Sequence, residues 1–279
     1  MMRNRKTMSK TIRSIVMLVF LLILIFPILI TISTSLKTYN QVLEWPPKIF
    51  QFPLQWSNYK EVLVGEKSIA PAFFNSLQVS VSVMILCIII GTLSAYAVTR
   101  FDFTGKKTFL VLIIVTQMLS SVLLVNPMYV IFRNLGILNT KLALIIANTA
   151  SSLPMTTWLL YSYFSQIPID YEEAAWMDGA SRGKGIKDVV LPMAIPGIIT
   201  AGLFAFIGAW GEIVYAKTFI VSDNLRTIAQ SLADYQDLYK VSWELQMAAS
   251  LVTTIPPFII FLLIQKQLIK GMTQDGVKG

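Results

Sequence analysis

Six stretches of this chain are long and apolar enough to cross a lipid bilayer, and no other feature narrows its possible folds as much. A spanning helix needs about 20 mostly apolar residues. Residues 14–36, 75–98, 108–126, 142–164, 193–215 and 247–264 meet that need, and the fifth carries a single acid, Glu212. Inside a bilayer every backbone amide must be bonded within the protein, so each stretch reads as a helix, and none alternates as a barrel strand would. The expectation is an all-α integral membrane protein with six transmembrane helices. It has three parts: a basic N-terminal segment (1–13), one transmembrane domain (14–264) and a C-terminal tail (265–279).

Composition supports this reading. Hydrophobic residues make up 55% of the 279 and charged residues 14%, about half the charged share of a soluble domain, roughly 25%. There is no histidine, which removes a Ser-His-Asp triad, histidine metal ligation and an imidazole proton shuttle. Cys87 is the single cysteine. It allows neither an internal disulfide nor a cysteine-cluster metal site, so no metal is expected, and its apolar surroundings predict a packing role. The first stretch follows five basic residues in the manner of a signal peptide. Its apolar core is somewhat long, however, and Ser33-x-Ser35 is a poor cleavage site, so it reads as a retained anchor.

The net charge of +8 is a topology signal. With six spans both termini share one side. That side carries 14 of the 23 basic residues, in 1–13, 99–107, 165–192 and 265–279; the longer opposite loops, 37–74, 127–141 and 216–246, carry nine. By the positive-inside rule the termini are cytoplasmic, in a multi-pass protein of the cell membrane. The basic residues form no single face that would follow a phosphate backbone, so nucleic acid is not an expected partner.

The cytoplasmic segment 166–192 differs from its surroundings. It holds five of the 15 acids: Asp170, Glu172, Glu173, Asp178 and Asp188. Asp170 and Glu173 have capping-box spacing with Asp170 as N-cap, and Gly179 can end the short helix that follows. Gly183 and Gly185 come next, then a break at Leu191-Pro192. On spacing alone this is either a solvated connector or a rigid knob that docks into a partner.

Glu173-Ala174-Ala175, three residues, Gly179, nine residues, Val189, one residue and Leu191-Pro192 resembles the EAA loop of binding-protein-dependent ABC importer permeases, with Val for the usual Ile. Pro46-Pro47, Trp56-Ser57-Asn58-Tyr59, Ala95-Tyr96-Ala97 with Arg100-Phe101, and the ending 271–279 are similar to the carbohydrate branch, the partner subunit of maltose-type permeases. The resemblance covers nearly the whole chain and implies a type I ABC importer transmembrane domain. It also implies a second permease subunit, a dimeric ATP-binding subunit carrying ATP and magnesium, and an extracytoplasmic sugar-binding protein. In that setting Glu173 and Asp178 would anchor a coupling helix on the ATPase. Ala174 and Ala175 would allow close contact, Gly179 would make the turn, and Leu191-Pro192 would lead back into the fifth span. The tail residues Thr273, Gln274, Gly276 and Lys278 would form a second ATPase contact. This chain departs from the family's usual Trp-Asn-Glu in having Trp210-Gly211-Glu212, and its two glycines at 183 and 185 would soften the loop.

The chain carries no Walker A loop; Gly179-x3-Gly183-Lys184-Gly185 has the wrong spacing and no hydroxyl for magnesium. It is therefore expected to be no enzyme and to hold no cofactor of its own. Within the bilayer, Trp210, Glu212 and Tyr215, with Asn148 and Gln117, are candidates for a translocation path. Against this stands an interfacial role for Glu212 and ordinary helix contact for the polar residues. Gly197, Ala201, Ala205 and Ala209 form a small-residue stripe expected to lie against a neighbouring helix, in this chain or in a partner permease. The loop 216–246 is either solvated or, as the resemblance to maltose-type permeases implies, a probe of the sugar-binding protein. The rival function is an ion-coupled secondary transporter of a small polar solute, which would want buried acids near the midplane.

Overall fold

The computed structural model describes residues 2–65, 68–236 and 241–274, with side chains from 12 to 265 within those bounds. Its helices are α1 (Met2–Ser35), α2 (Tyr39–Leu43), α3 (Ser57–Val64), α4 (Ala70–Arg100), α5 (Lys106–Thr116), α6 (Ser121–Asn134), α7 (Lys141–Ser165), α8 (Asp170–Met177), α9 (Arg182–Gly185), α10 (Leu191–Trp210), α11 (Val214–Phe219), α12 (Ile228–Ala233) and α13 (Trp243–Gln274). The described residues contain one isolated β-bridge, Gln236 with Val241. The stretch expected as one membrane domain holds two compact units, one of Met1–Ala70 with Leu232–Thr254, the other of Pro71–Ser231 with Ile255–Gly279.

Among the described residues, five helical runs are long and apolar enough to cross a membrane: Ile12–Ser35, Ala70–Arg100, Lys141–Ser165, Arg182–Trp210 and Trp243–Gln265. The remaining apolar stretch, the third in the chain, is not the single helix expected over 108–126. It is the pair α5 and α6, bent by 101°. The amides just past α5 make short-range bonds (Met118 N to Val115 O, Leu119 N to Thr116 O), and Ser120 then turns extended at ψ 155°. Serine favours helix starts over helix interiors, so Ser120-Ser121 begins a new helix where hydropathy alone runs on. At the other end, the tail expected from 265 begins as helix, since α13 continues to Gln274.

The first unit is pinned at the C-terminal end of α1. Asn58 Nδ2 donates to the carbonyls of Ser35 (2.9 Å) and Lys37 (2.8 Å), and the Tyr59 hydroxyl meets Ser35 Oγ at 2.7 Å. The Trp-Ser-Asn-Tyr run of the sequence thus satisfies carbonyls left free where α1 ends.

In the second unit α10 packs on α7 along the predicted small-residue stripe, so the neighbour is a helix of the same chain. Gly197, Ala201, Ala205 and Ala209 are all buried. At Gly197 the Tyr163 ring takes the space of a side chain, since a Cβ would stand 2.4 Å from its Cγ. Cys87 is fully buried beside Val83, Ala147 and Ala205, in the packing role expected of it. The loop after α10 is largely folded. Asn75 Nδ2 donates to the carbonyls of Asn224 (2.9 Å) and Arg226 (3.0 Å), and Ser76 Oγ accepts from Ile228 N at 2.8 Å.

Candidate functional site

The segment between α7 and α10 forms a short helix closed at its end by glycine. α8 begins at Asp170 with Ile169 as N-cap and no side-chain cap, so the expected capping box is absent. Instead the Ile169 carbonyl accepts the amides of Glu172 (2.8 Å) and Glu173 (3.1 Å). Asp170, Glu172 and Glu173 still place negative charge in the first turn, where the helix dipole favours it. At the other end Gly179 N bonds Trp176 O and Ala180 N bonds Ala175 O, each at 3.0 Å. Gly179 has φ +84°, and together these form the Schellman closure that glycine permits.

The two sides of α8 differ. Glu172 is 1% exposed, while Asp170, Glu173, Ala174 and Met177 face outward and Ala175 is half-buried. The period of 3.6 puts Glu172 and Trp176 on one side and Ala174 and Met177 on the other. Met177 is 89% exposed. On the inner side Glu172 Oε1 pairs with Arg100 Nε, and Tyr96 donates its hydroxyl to Glu172 Oε2 at 2.9 Å. Arg100 Nη2 donates to the Ile167 carbonyl at 3.0 Å. Breaking one side of such a buried pair typically costs roughly 3–5 kcal/mol. Sequence reasoning singled out Glu173 and passed over Glu172, Arg100 and Met177. The available signal was Arg100, a cation at the end of a long helix, with five acids gathered in the segment 166–192.

Past the turn, Ser181 Oγ caps α9, accepting from Lys184 N at 3.4 Å. The expected break at Leu191-Pro192 does not occur. α9 runs through a π-helical turn (Ile186–Val190) into α10, and Leu191 N bonds Ile186 O, five residues back. A proline inside a helix lacks its amide and crowds the preceding turn; the wider π turn lets Pro192 sit near the start of α10 without stopping the run. Gly183 and Gly185 are helical, and Gly185 is buried under the Trp176 indole. Arg182 lies over the rings of Trp176 (5.6 Å) and Phe101 (6.0 Å). Of the tail residues, Thr273 and Gln274 end α13, while Gly276 and Lys278 lie outside the described residues.

Residues 77–274 match the family model for the binding-protein-dependent transport system inner membrane component. The chain belongs to this family of ABC importer permeases. As its inner-membrane component, it is not itself an ATPase. It is 34% identical over the full length of both chains to the inner membrane ABC transporter permease protein YcjP of Escherichia coli K12. It is 33% identical to the trehalose/maltose transport system permease protein MalG of Thermococcus litoralis, covering 92% of this chain and 93% of that one. The fold matches a bacterial ABC transporter involved in the import of the acidic polysaccharide alginate. That match has a TM-score of 0.79 at 21% identity and covers 94% and 97% of the two chains. The permease is thus a multi-pass protein of the cytoplasmic membrane.

The five residues of the expected translocation path have different surroundings in the permease. Trp210 is 7% exposed, stacked on Phe206 and edge-on to Phe73, each at 5.6 Å. Tyr215 is fully buried, stacked on Phe219, with its hydroxyl 2.8 Å from Ser151 Oγ. Asn148 Nδ2 bonds the Leu144 carbonyl of its own helix at 2.9 Å. Gln117 is exposed at the bend between α5 and α6. Glu212 was expected inside the fifth span, but α10 ends at Trp210 with Gly211 as C-cap. Its carboxylate instead accepts the first amides of α11, Tyr215 N at 2.9 Å and Ala216 N at 3.2 Å.

Proposed function

We propose that this permease subunit carries a sugar or oligosaccharide inward by alternating access, driven through α8 by a separate dimeric ATPase that binds ATP and magnesium. The observation that carries the coupling role is the two-sidedness of α8: Glu172 is held inside, while Asp170, Glu173, Ala174 and Met177 face out at the end of a rigid, glycine-closed turn. A helix with small and flexible apolar residues on its free side suits close docking in a cleft. Glu173 and Asp178 serve as polar anchors at its rim, Ala175 supports it from behind, and Leu191-Pro192 passes the movement into α10.

In this reading both termini are cytoplasmic, and Thr273, Gln274, Gly276 and Lys278 add a second ATPase contact. A second permease subunit completes the membrane complex, and the loop 216–246 meets an extracytoplasmic sugar-binding protein. The sugar assignment draws on the trehalose/maltose relative and on the carbohydrate-branch pattern of the sequence. Gln117 and Glu212 keep polar atoms near the path, while Trp210, Tyr215 and Asn148 shape the wall behind them.

The test is uptake of labelled maltodextrins into vesicles holding the full complex with its binding protein. Uptake that needs internal ATP, and that Met177→Asp or Glu173→Lys abolishes without loss of the permease, is the expected result. Uptake driven by a proton gradient after deletion of the ATPase overturns the proposal.

A further inference from the structure

We infer that the buried cluster of Glu172, Arg100 and Tyr96 is the joint that carries movement of α8 into α4, so that α4 shifts in the same step as α10. This rests on the reading of α8 as the coupling helix. The chain itself joins α8 to α7 on one side and to α10 through α9 on the other. No such connection reaches α4, since 72 residues separate Arg100 from Glu172. Whatever moves α4 with α8 must therefore be non-covalent.

The contact found there is built for fixed geometry. Both carboxylate oxygens of Glu172 are engaged, one by Arg100 Nε and the other by the Tyr96 hydroxyl. The same guanidinium reaches the Ile167 carbonyl just before α8, so one α4 side chain holds two points of the segment. The Tyr96 ring packs edge-on to Phe164 at 6.3 Å, at the end of α7. Apolar contacts alone are non-directional and allow helices to slide. Charge-assisted hydrogen bonds on a planar guanidinium fix distance and angle together.

Stability is a poor reason for the arrangement, because a buried ion pair can often be replaced by apolar residues at no cost. A positional role explains why charge is kept here. Glu172 lies on the side of α8 opposite Ala174 and Met177, so force on the docking side is met by an anchor directly behind it.

The experiment uses the full complex with its ATPase and binding protein, reconstituted in liposomes. Removing one partner leaves the other buried and charged, so the informative variant removes both charges, Arg100→Gln with Glu172→Gln. Complex recovery and basal ATP hydrolysis should stay near wild type. Maltodextrin transported per ATP should fall about ten-fold, within the usual range for a coupling between two sites. A double variant that transports as much per ATP as wild type overturns the joint, as does a loss of transport fully matched by a loss of assembled complex. If the wild-type complex itself shows no ATP-linked uptake, the reading of α8 fails and the joint with it; normal coupling in both forms removes only the joint.

Discussion

The indole Nε1 of Trp176 lies so close over the backbone of Gly185 that a Cβ there would stand 3.1 Å from it. The two glycines of α9 therefore differ in use. At Gly183 an added Cβ would meet nothing within 4 Å. Gly183→Ala should be neutral or stabilising, by up to about 1 kcal/mol from helix propensity. Gly185→Val should push Trp176 off and cost about 1–3 kcal/mol through overpacking. Thermal unfolding of the two variants in one detergent compares them directly. Equal effects at both positions would refute the contact.

Gly179 offers a second separation of causes. Its φ of +84° and the absence of any atom within 4 Å of a built Cβ make the constraint one of backbone rather than space. Gly179→Asn should keep the turn, since asparagine tolerates this region, whereas Gly179→Val should strain it by roughly 1–2 kcal/mol. ATP-driven uptake should survive in the first variant and fall in the second. Equal uptake in both would show that the turn does not matter to transport.

How much of this was legible in the sequence depended on whether the cause was local. The end of α8 was readable because Gly179 needs no neighbour to explain it. Glu172 was not: two glutamates stand side by side, and only the approach of α4 decides which one turns inward. Pro192 read as a break because a π turn leaves no mark in composition. The bend at 117–120 was hidden because Met118 and Leu119 keep hydropathy high through it. Trp210 and Tyr215 show the same limit, since the sequence does not say that their rings pack on Phe206 and Phe219.

The seam between α7 and α10 rests on a missing side chain at Gly197, where a Cβ would stand 2.4 Å from Tyr163 Cγ. Gly197→Ala should therefore lower the unfolding temperature, at a cost of about 1–3 kcal/mol. Tyr163→Ala should relieve it, so that the double variant is more stable than the sum of the single effects implies. Additive losses would mean that the two residues do not press on each other.

Tyr235 gives a pH dependence whose sign follows from its burial. It is 3% exposed, and burial, followed by the charges of Glu61 and Asp234, pushes its hydroxyl up to about 12. In the unfolded chain a tyrosine titrates near ~10. Between these values the unfolded chain releases the proton while the folded one keeps it, so stability falls as pH rises from about 10 to about 12. Below that window Tyr235 is neutral in both states and contributes no slope. Wild type and Tyr235→Phe should thus run parallel at neutral pH, with wild type losing unfolding temperature faster in the alkaline window. Thermal unfolding of both proteins across that range checks the difference, and curves that stay parallel throughout would show that the hydroxyl is not held protonated by its surroundings.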